Sequence, residues 1–182
     1  MTVTRRVATT AAAVAAVLLL VLLVRSARQA RIEDEQESRL AAQIARNEAG
    51  AVASLREINR AQAAYQAECG RGYYSMSLMD LATRPPGKGE AYLPSYKRGE
   101  LGFSLTSSVR GSLVTIRPGE AAAIADCNGF PTQAAYYAVA VPASQGLSGI
   151  RSYATNQSGV VWVADGLPPP AEPFGPPARP VP

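Results

Sequence analysis

The 182-residue sequence predicts an α+β fold: a long N-terminal helix, apolar at its start and amphipathic towards its end, packed on a small antiparallel sheet. Three observations predict it. No Gly occurs before Gly50 and no Pro before Pro85, so nothing interrupts a helix over the first 49 residues. Apolar residues recur at helical steps from Leu40 to Tyr65, and beyond residue 100 the pattern changes to short alternating runs bounded by turn residues. Finally, the 47% apolar and 18% charged content averages stretches of unlike character rather than describing one uniform domain.

Residues 1–24 read as a basic flank followed by a transmembrane signal anchor. Val7 to Val24 is an uncharged run closed by Arg5-Arg6 and by Arg25. As a helix it spans roughly 27 Å, close to the hydrocarbon thickness of a bilayer. Val7, Val14, Leu18, Leu20, Leu22 and Val24 are its expected anchor residues. A cleaved signal peptide is the alternative, but Arg25-Ser26-Ala27-Arg28-Gln29-Ala30 would load a small-x-small cleavage site with arginine. Charge leaves orientation ambiguous. Arg25, Arg28, Arg31 and Arg39 follow the run, and counted alone they would hold the bulk of the chain in the cytoplasm.

Residues 25–39 are polar on every side, with Arg31, Glu35 and Arg39 at i, i+4 spacing, and are expected as a solvated helical stalk. An α+β domain is expected over 40–165. Its helix presents Leu40, Ile44, Val52, Leu55, Ile58 and Tyr65 as the packing face, widened by Ala41, Ala45, Ala51 and Ala61. The lack of a sustained heptad argues against a coiled coil. Cys69-Gly70-Arg71-Gly72 should stop the helix. Residues 82–100, rich in Gly, Pro and charge, read as an irregular connection. Strands are expected at 101–106, 112–117, 134–141, 150–155 and 159–164, the last two joined by a turn at Asn156-Gln157-Ser158-Gly159. Residues 166–182 contain eight prolines and are expected to be an extended, disordered tail.

Composition narrows the chemistry. The chain has no histidine, which removes the usual neutral-pH base, the commonest metal ligand and every Ser-His or Cys-His pair. The charge of +4 comes from arginines spread along the chain, so no nucleic-acid partner is expected. Asp80, Asp126 and Asp165 lack calcium-loop spacing, and no phosphate loop or dinucleotide fingerprint occurs. Neither an enzyme, a cofactor, a metal nor a small-molecule substrate is expected. Tyr65, Tyr73, Tyr74, Tyr92, Tyr96, Tyr136, Tyr137 and Tyr153 fit a helix–sheet core with wet hydroxyls, or else a binding face.

Cys69 and Cys127 are the only cysteines. Bridged, they would close a loop of about 59 residues, worth about 4 kcal/mol in the chain-entropy model. The alternative is a pair of reactive thiols, for which no neighbouring residue supplies an obvious activating charge. The bridge is the expectation, and it asks for an oxidising compartment.

The run Asn47-Glu-Ala-Gly-Ala-Val-Ala-Ser-Leu-Arg-Glu-Ile-Asn-Arg-Ala-Gln-Ala-Ala-Tyr-Gln66 resembles the helix of type IV pilin-like proteins and type II secretion pseudopilins. The matching positions are Asn47, Glu48, Leu55, Arg56, Asn59 and Tyr65. Arg151-Ser-Tyr-Ala-Thr-Asn-Gln-Ser-Gly-Val160, with Gln157, Ser158 and Gly159 at its turn, is similar to the late hairpin of the same group. The resemblance implies a helix laid on an antiparallel sheet, anchored in the bacterial inner membrane with the domain in the periplasm or outside the cell. It also implies protein partners in a type IV pilus or type II secretion system. The sequence departs from that pattern at its start. Family precursors carry a leader Gly for the prepilin peptidase and an acid soon after it, whereas here the first Gly is Gly50 and the first acid is Glu33. A free-standing, membrane-anchored binding module that reuses the fold without a filament is therefore the alternative.

Overall fold

A computed structural model describes residues 3–94, 106–109 and 111–182, with side chains for 19–94 and 111–182. The chain divides into two compact units, Met1–Ala42 and Gln43–Pro182, and helix α1 (Val3–Glu68) contributes to both. The fold is α+β, with a long N-terminal helix and antiparallel sheets.

In the first unit every described side chain from Leu19 to Ala42 is exposed. Glu35 and Arg39 form the i, i+4 ion pair that their spacing predicts, at 3.5 Å and in open solvent. Leu19–Val24 expose 42–62% of their surface. Val7, Val14 and Leu18 of the expected anchor lie outside the residues with described side chains. Among the described residues no helix is long and apolar enough to cross a membrane. Leu40, expected on the packing face, is 37% exposed and belongs to this unit rather than to the core.

The second unit is built around the end of α1. The helix stops where its residues lose helical freedom: the Cys69 and Gly70 amides both turn back to the Tyr65 carbonyl, at 2.9 and 2.7 Å. A Cβ on Gly70 would lie 2.1 Å from the Tyr73 carbonyl oxygen, so only glycine fits there. Arg71 follows in the left-handed region, at φ 54°. The chain then forms β1 (Tyr74–Ser75) and a five-residue helix, α2 (Leu78–Ala82). Ser77 caps α2 by accepting from the Asp80 amide at 3.1 Å. Residues 83–94 are irregular, as expected of that Pro- and Gly-rich stretch.

Six strands form the main sheet: β2 (Thr106–Val109), β3 (Ser112–Arg117), β6 (Tyr137–Pro142), β7 (Arg151–Asn156), β8 (Trp162–Asp165) and β9 (Arg179–Pro180), adjacent in that order and antiparallel throughout. A second sheet orders β1, β5 (Pro131–Gln133) and β4 (Ala121–Ala125). Strand β3 occupies the expected residues, and β6, β7 and β8 lie within three residues of theirs. Of the expected strand 101–106, all but Thr106 falls outside the described residues, as does Tyr96. The sequence reading missed β1, β4, β5, α2 and β9. Four of these are short, and β4 is mostly alanine, so none carries a strong alternating signal.

Alternation decides the core. Val114 and Ile116 of β3, Ala138 and Ala140 of β6, Tyr153 of β7 and Val163 of β8 share one face of the sheet. They are buried in one cluster with Leu55, Ile58 and Tyr65 of α1. Val52 is half-buried against the cluster, and Ile44, expected on the same face, is half-buried outside it. Fully burying side chains such as Leu55 and Ile58 stabilises by about 1.5–3 kcal/mol each.

The expected disordered tail is corrected. Residues 166–182 fold back on the sheet, where β9 pairs with β8 and the Val181 amide donates to the Val161 carbonyl at 2.8 Å. Phe174 stacks on Trp162, with ring centroids 5.4 Å apart. Proline-rich chain has little backbone freedom to lose, so a few contacts suffice to order it.

Candidate functional site

The polar family-like positions of α1 form a row of clasps to the chain around it, and Leu55 among them lies in the core. At one end, Asn47 donates to the Ser148 carbonyl at 2.9 Å. Next to it Glu48, only 4% exposed, accepts from the Ile150 and Arg151 amides at 3.0 Å each. The same carboxylate accepts from Arg151 Nε at 2.8 Å and from a second guanidinium nitrogen. Burial alone would raise the Glu48 carboxyl. The Arg151 side chain and the two amides outweigh that and hold it below its usual range.

Further along, Asn59 accepts from the Tyr136 hydroxyl at 2.8 Å and from Thr155 Oγ1 at 3.0 Å, and donates to the Gly159 carbonyl at 2.8 Å. Gly159 has φ 75° and closes the turn that Asn156 begins by accepting from the Ser158 amide. Gln157 and Ser158 are exposed at this turn. Arg56 reaches the Pro182 oxygen. At the far end, the Tyr65 hydroxyl donates to buried Asp126 at 2.8 Å. The other Asp126 oxygen accepts from the Asn128 and Phe130 amides at 2.8 and 2.7 Å. Cys69 and Cys127 are disulfide-bonded beside this contact, with Cα atoms 4.9 Å apart.

Two clasp residues escaped the sequence reading. Gln62 is fully buried, and its side-chain amide pairs with both backbone groups of Ser75 at 2.9 and 3.0 Å, doing for β1 what a neighbouring strand would. Asp126 organises the Asp-Cys-Asn-Gly turn. The signal for Gln62 was present: it sits midway between Asn59 and Tyr65, three residues from each, on the face that also buries Ile58.

Beside the Glu48 end lies a groove of about 300 Å³, lined by Glu48, Val52, Arg151, Tyr153, Val163 and Val181 among others. Its polar groups are committed. Glu48 is fully engaged as an acceptor, and Tyr153, pushed up to about 12 by burial and by the Glu48 charge, stays protonated at neutral pH. Tyr65 and Tyr136 are likewise held as phenols, chiefly by burial, with Asp126 adding to the effect on Tyr65. The arrangement holds elements together. Among the described residues no cluster of His, Cys, Asp or Glu is placed to bind a metal ion. The chain matches no family model, no curated protein and no solved structure.

Proposed function

We propose that this chain is a single-pass protein of the bacterial inner membrane whose pilin-like domain lies outside the cytoplasm. There it serves as a structural or interaction subunit in, or accessory to, a type IV pilus or type II secretion machine. The observation that carries the reading is that Asn47, Glu48, Arg56, Asn59 and Tyr65, the polar family-like positions of α1, all join the helix to the strands, turns or tail around it. Two further features support it. Leu19–Val24 are large, apolar and uncovered, as the lower part of an anchor would be, and the disulfide suits an oxidising compartment.

The charged, exposed stretch 25–39, which separates the apolar start of α1 from the domain, favours a second reading, a free-standing anchored module that binds partners without entering a filament. Alkaline washing of membranes from cells expressing the full chain tests the anchor. The chain should stay in the pellet, and removal of residues 7–24 should release it; a full chain that washes off overturns the reading. Cross-linking in cells then separates the two alternatives. Adducts with secretion or pilus proteins support the first, and their absence from an anchored protein supports the second.

A further inference from the structure

The sheet face turned away from α1 carries a second, smaller core. In the antiparallel register Thr115, Val139, Ala154, Trp162 and Pro180 lie opposite one another in a row across β3, β6, β7, β8 and β9. By alternation these residues point away from the helix-side cluster, yet Val139 is 6% and Ala154 0% exposed. The tail packs on this face, against Trp162 and Tyr137. Phe174 lies between Trp162, at 5.4 Å, and Tyr137, at 6.2 Å. The Tyr137 hydroxyl donates to the Pro170 carbonyl, and the Arg117 guanidinium sits 5.2 Å over the Tyr137 ring. Strand β9 caps the β8 edge, which would otherwise expose unpaired backbone groups.

The occupant is thus a proline-rich segment with one aromatic anchor, seated in an aromatic-lined channel beside a strand edge. Both are general ways of recognising extended peptides. The seat joins β9, the Phe174 contacts with Trp162 and Tyr137, the Tyr137–Pro170, Asn156–Glu172 and Val181–Val161 hydrogen bonds and the exposed Arg179–Asp165 pair at 3.6 Å, and a second copy's tail would make the same set. What favours the chain's own tail is mainly its tether at Gly166, which gives it a high effective concentration. A second copy carries the same segment, so its fit to the channel is guaranteed by the sequence.

We propose that this channel is a tail-exchange site, in which the segment 167–182 of a second copy replaces the chain's own and links the two copies. Exchange of an identical element is a low-cost route to dimers, and it becomes favoured when copies are concentrated. The inference does not rest on the membrane or secretion reading.

Trp162 is the only tryptophan, so its emission reports the seat directly. The test uses two full-length variants: F174A, whose tail loses its anchor, and W162F, which is dark but keeps an intact tail. F174A alone should emit at longer wavelength than wild type. Adding W162F should return the emission towards wild type saturably, with a mixed dimer appearing by light scattering. F174Y, which keeps the ring, should emit like wild type. P180D disrupts the strand end of the tail directly opposite Trp162, and should emit at longer wavelength and respond to W162F as F174A does. Unchanged emission in both F174A and P180D overturns the seat. Failure of W162F to restore either variant overturns the exchange, as does restoration by a synthetic 167–182 peptide but not by W162F.

Discussion

Two stretches of α1 share one backbone conformation and opposite surroundings. From Leu19 to Gln43 every side chain is exposed. From Ala51 to Tyr65 the residues Ala51, Leu55, Ile58, Ala61 and Tyr65 are at most 2% exposed. The first stretch holds its helix through good helix formers, an unbroken run without Gly or Pro, and i, i+4 charge pairing. Those terms are individually small. The second tolerates Gly50 and buried Gln62 because the sheet supplies apolar burial and backbone partners. Local terms alone account for the first stretch. The second exists because of what it packs on.

Several substitutions would break or sharpen that contrast. The largest effect belongs to the bridge that closes the second unit. Replacing both Cys69 and Cys127 with Ser should lower the unfolding free energy by about 4 kcal/mol in urea titrations, since the closed loop spans 58 positions. Little loss would mean that the clasps alone fasten the helix end. Ile58→Ala, at a fully buried position, should cost about 3 kcal/mol by the same measurement.

Glu48→Gln tests the polar clasp at the other end and should cost about 1–2 kcal/mol at neutral pH, Arg151 being partly exposed. The sign with pH follows from the lowered carboxyl. Its stabilisation is complete above the ordinary value of 4.5 and is lost as pH falls through the lower folded value. The gap between wild type and E48Q should therefore shrink on acidification below 4.5. Asp80, raised chiefly by burial, contributes a slope of the opposite sign that is common to both proteins.

Arg71 holds φ 54° without being glycine, so Arg71→Gly should stabilise by about 1 kcal/mol in thermal melts. The smallest effect is expected in the exposed stretch. Leu22→Ala, at a position 60% exposed, should change the unfolding free energy by no more than about 0.5 kcal/mol. A large loss there would show that this part of α1 is packed after all.

Much of this was legible in the chain itself. The uninterrupted start, the helical period through Leu55, Ile58 and Tyr65, the stop at Gly70 and the alternation in β3 are local signals, and local signals survive into the fold because each is set by steric or periodic constraints within a few residues. The partners of the polar positions were not legible. Glu48 meets Arg151 across 103 positions and Tyr65 meets Asp126 across 61, and spacing within α1 does not reveal what faces it.

The tail shows the same limit most sharply. Its eight prolines spoke only of extended chain, whereas the segment bends at 166–168 and 172–173 and turns at 176–177 before β9. Whether an extended segment is free or docked depends on Trp162, Tyr137 and the β8 edge, which come together only when the sheet forms. The sequence by itself determined the long helix and the strands β3, β6, β7 and β8, because helix period, strand alternation and turn chemistry act over short range. Only the tertiary structure decided which polar groups are satisfied and what covers each face, because burial and hydrogen-bond pairing are properties of surfaces that distant segments build together.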